Sequence, residues 1–448
     1  MKVIIWLILM LCFYSIYAIG QNNLYVCGNQ FLKKSILDKY PTFGDSLKEK
    51  ERLLRSSSRF TLSTSSKQIT SPIPVIFHIV LNQAQINKLN GITGIEERID
   101  SQIAVINRDY NALNSDSVLI PIPFKPLYAN VGIQFALAHT APNGSSTPGY
   151  EIILTDSDGF NLFNGFGSGF GFSSAKYASS GGANAWDPES YINIWVIDMP
   201  SAVVGLTVPK SYIGASSNIP LCENGITLSY GVWGVQTGDN QYYLYGKNKG
   251  RTLTHELGHL FEIWHTWGDN DGNCPWSGGD DDGIADTPPQ SNPTYGCYNF
   301  PLFDLCSPSD NGIMFMNYMD YADDSCKYMF TIGQADVMRS MIGFSGESFS
   351  LTQHPELTLW PNGSDTQNIY TIYPNPTNSS VAIVFNKVSQ NLISIRIINV
   401  LGQVIKQINT DGTQSGFYSF DLSNVESGIY FFQVIFPNKI ETNKILKI

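Results

Sequence analysis

The sequence predicts an α+β domain followed by a small all-β sandwich, and three observations carry that expectation. The apolar run Ile73-Pro74-Val75-Ile76-Phe77-His78-Ile79-Val80 reads as a buried strand. Helical spacing follows at Ile95, Ile99, Ile103 and Ile106, and helical character returns over residues 251–264. From Tyr370 onward, short β-type segments alternate with turns, which suits a small sandwich. At roughly 150 residues per domain, a chain of 448 residues holds two or three domains. Its 43% hydrophobic content excludes a wholly disordered chain, and 39 Gly with 23 Pro exclude collagen.

Lys2, an apolar run over residues 3–14 and small residues at Ala18 and Gly20 mark residues 1–20 as a secretory signal peptide cleaved ahead of Gln21. Leu11 is too bulky before Cys12 for lipoprotein processing, and no later apolar run reaches the ~20 residues of a membrane span. Residues 21–68 are polar, with a possible short helix between Lys33 and Arg55 and a Ser-rich stretch at 56–66, and they read as a removable or linking segment rather than core. Further strands are expected at 131–138 and 191–197, with loops at 159–185 and 265–330. A second boundary near 350–370 precedes strands at 381–385, 392–398, 418–422 and 428–436. The expected organisation is signal peptide 1–20, propeptide 21–68, main domain 69–348, linker 349–368 and C-terminal domain 369–448.

The net charge of −11 disfavours bulk binding to nucleic acid. The acidity is local: residues 252–326 contain eleven Asp, two Glu and no Lys or Arg, so the remainder carries about +2. Exclusion of Cys12 with the signal leaves Cys27, Cys222, Cys274, Cys297, Cys306 and Cys326, and an exported chain permits disulfides. Spacing alone leaves three connectivities open for the last four.

The chemistry concentrates in His255-Glu256-Leu257-Gly258-His259-Leu260-Phe261-Glu262-Ile263-Trp264-His265. His255 and His259, four apart, share a helical face and can share a metal. Imidazole suits zinc, a three-ligand site leaves a position open for water, and that water's pKa can fall toward about 7. Glu256 is placed to act as its general base. A straight helix would point His265 elsewhere, so the chain must turn before it; the rival third ligand is a downstream carboxylate.

These residues resemble the metzincin pattern, and with other stretches they resemble the pappalysin family of metzincin zinc metalloproteases in its bacterial secreted branch. The other stretches are residues 73–80, Trp186-Asp187-Pro188 with Tyr191-Ile192-Asn193-Ile194-Trp195-Val196, Asp286-Thr287-Pro288 and residues 317–326. One position departs: Glu262 stands where the pattern has Gly, and a non-Gly residue in a left-handed turn costs on the order of 1 kcal/mol. The resemblance implies a twisted mixed sheet, an active-site helix and a loop-rich, disulfide-bonded subdomain. It implies His255, His259 and His265 as zinc ligands, Glu256 as catalytic base, Met319 as the methionine floor of the Met-turn, and Tyr321 as a catalytic phenol. It further implies the disulfides Cys274–Cys306 and Cys297–Cys326, and structural calcium on oxygens of Asp280, Asp281, Asp282, Asp286 and Thr287. Asp324 is implied in the pocket for the residue after the scissile bond, where it would favour Arg or Lys and make Ser58–Arg59 a self-processing bond.

Cys27-Gly28 looks like a cysteine switch whose thiolate fills the open zinc position; the alternative is a Cys27–Cys222 disulfide. Tyr373-Pro374-Asn375-Pro376, residues 399–403, Gly428-Ile429-Tyr430 and the terminal residues 444–448 resemble the sorting domain of the type IX secretion system. An adhesive or carbohydrate-binding sandwich competes with that reading. The whole therefore reads as a secreted or cell-surface zinc endopeptidase made as a zymogen, acting on proteins or peptides and exported by the type IX machinery, with no nucleic-acid partner. The alternative is a secreted calcium-dependent adhesin with a vestigial zinc site.

Overall fold

The computed structural model describes residues 26–40, 43–47, 71–156, 159–160, 171–199, 202–214, 217, 219–239, 241–268, 272–277, 281–361, 370–373, 377, 380–385, 393–409, 417–437 and 439–447. The signal peptide, the Ser58–Arg59 bond and Asp280 lie outside the described residues.

The N-terminal segment supplies strand β1 (Val26–Cys27) and helix α1 (Asn29–Lys39). Next come β2 (Ile73–Leu81), α2 (Gln83–Lys88), α3 (Gly91–Tyr110), β3 (Phe135–Leu137) and β4 (Tyr150–Leu154). The domain continues with β5 (Ile192–Ile197), β6 (Val203–Val208), β7 (Gly225–Ser229), α4 (Arg251–Leu260) and α5 (Ile332–Ile342). The sheet runs β1-β6-β7-β5-β2-β3, and β4 also pairs with β2. The β2 partners β3, β4 and β5 are parallel to it, while β6 is antiparallel to β7, so the sheet is mixed.

All nine residues of β2 are buried because both faces of this central strand are covered, which is why it reads as an unbroken apolar run. Ile73, Val75, Phe77, Ile79 and Leu81 pack with Ile95, Ile99, Ile103 and Ile106 of α3 and with Leu253 and Leu257 of α4. Val80 faces the opposite core with Leu32 and Ile36 of α1. His78, a buried polar residue of this strand, is satisfied by Glu151 at 2.5 Å and Asn193 at 2.9 Å.

The N-terminal segment departs from expectation. Leu32, Ile36, Phe43 and Leu47 are buried with Trp195, Val203 and Leu206, so a segment read as linker-like contributes to a core. Leu32 and Ile36 are one helical turn apart, and that stripe is hidden among charged neighbours. The linker also begins later than 349. Leu351 is buried in the main core, Leu357 accepts hydrogen bonds from the His139 and Thr140 amides, and Trp360 stacks on His139 at 4.3 Å.

The C-terminal unit comprises β8 (Tyr370–Tyr373), β9 (Ser380–Phe385), β10 (Ser394–Asn399), β11 (Val404–Asn409), β12 (Phe417–Asp421), β13 (Gly428–Phe436) and β14 (Lys439–Lys447). They form two antiparallel sheets, β11-β10-β13-β14 and β12-β9-β8, which share a core containing Val381, Ile383, Ile395, Phe432 and Val434. Among the described residues, no helix is long and apolar enough to cross a membrane.

Candidate metal centre

Helix α4 presents the histidines, and its start is fixed from outside. Gly250 takes φ +74° before the first turn. The Asp324 carboxylate accepts the amides of Lys249 (2.9 Å) and Arg251 (3.2 Å), satisfying donors at the helix start. The Arg251 guanidinium bridges both oxygens of Asp116 at 2.7 Å and the Asp324 carbonyl at 2.8 Å.

The helix ends in a Schellman turn. The Ile263 amide bonds to the Gly258 carbonyl at 2.9 Å and the Glu262 amide to that of His259 at 3.0 Å, with Glu262 at φ +68°. The turn expected from the spacing is thus made with a glutamate in the left-handed position. It brings His265 back beside the helix, where its ring stacks on Trp267 at 4.4 Å.

His255 Nδ1 bonds to the Tyr318 carbonyl at 2.8 Å and His259 Nδ1 to the Ile263 carbonyl at 2.7 Å. Such second bonds fix each ring and leave Nε2 for a metal. His259 Nε2 lies 3.1 Å from Nε2 of both His255 and His265. Four ligands arranged tetrahedrally at about 2.0–2.1 Å around zinc put their nitrogens roughly 3.3 Å apart, so the donor set fits that ion. The fourth donor is Cys27: its ligand atom and those of the three histidines all lie within 4.8 Å of one another. Burial and neighbouring imidazole hold His255 and His265 well below the ordinary histidine range, leaving them neutral as ligation requires.

Glu256 is buried beside this cluster, and the Thr207 hydroxyl donates to its Oε2 at 2.7 Å. Burial raises its pKa to about 7, against lowering by hydrogen bonds from Thr207 and Cys27 and by the charge of Lys327. Gly205 of β6 makes room for it, since a Cβ there would lie 2.3 Å from Glu256 Oε1. Met319 is fully buried beneath α4, where a Cβ on Gly258 would meet its sulfur at 2.4 Å. The Tyr321 hydroxyl donates to the Cys27 carbonyl at 3.1 Å, and its ring abuts His265 edge-on at 4.9 Å. Thr207, Gly205 and Gly258 carried no sequence signal beyond the motif's own glycine, because their roles arise from contacts between distant elements.

Cys27 and Cys222 are both free, so the alternative disulfide is not formed; Cys222 instead contacts the Tyr177 hydroxyl at 3.4 Å. Burial raises the Cys27 thiol pKa, and the nearby Glu256 charge adds to this. Cys274 is bonded to Cys306 and Cys297 to Cys326, closing the loops between α4 and α5.

Asp324 is fully buried, commits Oδ2 to the start of α4, and lies within the field of Lys247 and Lys327. It supports the start of the helix through Oδ2, while its Oδ1 is buried without a hydrogen-bond partner among the described residues. The candidate calcium residues act as local acceptors and a donor. Asp282 takes the Thr287 hydroxyl at 2.7 Å, Asp281 the Gly283 amide at 2.8 Å, and Asp286 the Thr331 hydroxyl and Gly333 amide at 2.7 and 2.9 Å. Among the described residues, the grouping of three or more potential ligands is the Cys27–histidine cluster alone.

This fold and donor set define a metzincin-type metalloendopeptidase. Residues 177–343 match the family described as pregnancy-associated plasma protein-A, and residues 371–448 match the secretion system C-terminal sorting domain. A solved structure of a promirolysin variant from Tannerella forsythia is 30% identical, with TM-score 0.62, over 74% of this chain and 98% of that one. Mature mirolysin with a cleaved peptide is 33% identical, with TM-score 0.57, over 66% and 99%. An extracellular metalloprotease of Colletotrichum graminicola is 28% identical over 285 residues, 62% of this chain and 79% of that protein. One from Arthroderma otae is 46% identical over 88 residues, covering 20% and 30%. The chain belongs to the pappalysin family of metalloproteases, and it is secreted or displayed at the cell surface.

Proposed function

We propose that His255, His259 and His265 hold zinc, that Glu256 is the general base of peptide hydrolysis, and that Cys27 keeps the chain latent. The carrying observation is the convergence of three Nε2 atoms and the Cys27 thiol beside a buried carboxylate. Bound zinc supplies a Lewis acid that polarises the scissile carbonyl and acidifies water. Glu256, held by Thr207, takes the proton of the attacking water and delivers it to the leaving amine. Tyr321, released from the Cys27 carbonyl once the N-terminal segment is removed, donates to the negative charge developing on the carbonyl oxygen.

Latency has a second support. Strand β1 pairs with β6, aligning Cys27 with Gly205, so the segment covers the strand edge nearest Glu256 and excludes a substrate strand from it. The same reading takes residues 1–20 as signal peptide, 21–68 as propeptide and 369–448 as the address read by the type IX machinery. It adds a structural calcium on oxygens of the 280–287 loop, supported by the concentration of carboxylates there. The reading keeps the preference for Arg or Lys after the scissile bond, supported by Asp324, whose buried Oδ1 has no hydrogen-bond partner among the described residues. Processed protein should hydrolyse casein, lose that activity to 1,10-phenanthroline and regain it with zinc. Casein hydrolysis that chelation leaves untouched overturns the reading.

A further inference from the structure

The segment that leads into α4 carries a buried cation that the proposed reaction leaves unused. Lys247 is 4% exposed, and its ammonium donates to the carbonyls of Tyr321 and Ala322, each at 3.1 Å. Its own amide bonds to the Leu244 carbonyl at 3.0 Å, and Leu244 packs on Val204 and Val232, so the side chain reaches the Met-turn from a fixed base. Burying an ammonium is costly unless charge compensates it. Burial lowers the pKa of Lys247, and the nearby carboxylates of Asp324, Asp323 and Asp320 work in the opposite direction.

A tie between these two segments is present without the ammonium. The Asp324 amide donates to the Gly246 carbonyl at 2.8 Å, and the Asp324 carboxylate takes the amides of Lys249 and Arg251. What Lys247 adds is a hold on Tyr321 itself. The Tyr321 amide donates to Asp320 Oδ1 at 2.6 Å, and Asp320 is fixed in turn by Gln290 at 2.9 Å and the Thr294 amide at 2.8 Å. Charged groups thus grip Tyr321 at both its amide and its carbonyl, which leaves rotation of the side chain as its free motion. The hydroxyl sits on the Cys27 carbonyl in the latent chain and must turn toward the reacting carbonyl once that segment leaves. A pivot that drifts by about 1 Å carries the phenol off its target, at a cost near 10²-fold in rate.

We propose that Lys247 is a positioning residue of the protease, whose ammonium fixes the backbone pivot from which the Tyr321 phenol swings to the developing oxyanion. The inference rests on the reading of Tyr321 as a catalytic phenol, and a double-variant cycle separates the two.

Processed wild type, Lys247→Met, Tyr321→Phe and the double variant are assayed on one fluorogenic peptide for KM and for kcat per bound zinc, with the melting temperature beside them. Tyr321→Phe should lower kcat by about 10²-fold. Lys247→Met should lower kcat at least tenfold with KM within threefold of wild type, and in the Tyr321→Phe background it should lower kcat less than twofold. A merely structural role would cost the same factor in both backgrounds. A loss of twofold or more in the Tyr321→Phe background, or of less than tenfold in the single variant, overturns the proposal. A loss of less than tenfold in Tyr321→Phe alone overturns the reading of the phenol, and the inference with it. If Lys247→Met does not fold, Lys247→Gln, which keeps an N–H donor without the charge, carries the same cycle. There a loss of at least fivefold with Tyr321 present and less than twofold in the Tyr321→Phe background supports the proposal, and any other pair of values overturns it.

Discussion

Gly205→Ala isolates the positioning of Glu256 from the presence of its carboxylate. A Cβ at residue 205 would lie 2.3 Å from Oε1, 2.7 Å from Cδ and 2.8 Å from Cγ of Glu256, so rotation of the carboxylate alone cannot relieve the clash. Ordinary contact begins near 3.4 Å, which requires the side chain to retreat by about 1 Å and strains its bond to Thr207. A misplacement of about 1 Å can cost 10²-fold in rate, or about 2.7 kcal/mol of transition-state stabilisation. The assay is kcat and kcat/KM of the processed variant on a fluorogenic peptide, with zinc content by mass spectrometry and the melting temperature as controls. The expected result is a roughly hundredfold loss in kcat with one zinc per chain retained. A zinc-loaded, folded variant with kcat within twofold of wild type would refute the described packing of Glu256 against β6.

Other outcomes follow from the same contacts. Full-length Cys27→Ala should cleave peptide without processing, since the thiol no longer meets the three histidines; a chain as silent as wild type removes the switch. Gly258→Ala forces a methyl to 2.4 Å from the Met319 sulfur and should destabilise by about 1–3 kcal/mol in denaturant melts. Unchanged stability would show that Met319 does not pack beneath α4 as described. The double variant Cys274→Ser/Cys306→Ser opens a loop with a sequence separation of 32 and should lose about 3–4 kcal/mol by chain entropy, measured by urea unfolding. A loss under about 1 kcal/mol would mean that the loop is held by other contacts.

The convergence of His255, His259 and His265 was legible because helix periodicity and a forced turn act within eleven residues, so local geometry alone constrains the three rings. The central strand and α3 were legible for a similar reason, as each carries an uninterrupted period of burial. The support that Asp324 gives the start of α4 was not legible because its partners, the amides of Lys249 and Arg251, lie some 75 residues away, and only the folded loop brings them together. Thr207 and Gly205 were invisible because strand β6 carries no motif, yet it forms one wall of the site. In the sandwich, β11 and β14 were missed because their residues are mostly exposed, which leaves little apolar alternation to read. The burial of α1 was missed because a stripe as short as Leu32 and Ile36 among charged neighbours resembles a solvated helix until a partner face is known.

The central claim is that Glu256 moves the proton beside zinc held by three histidines. Processed Glu256→Ala protein, assayed on casein and on a fluorogenic peptide beside its zinc content, tests it most directly. The account predicts zinc retained in full and hydrolysis reduced by about 10²–10⁴-fold or more. Zinc retained with activity within tenfold of wild type would contradict it.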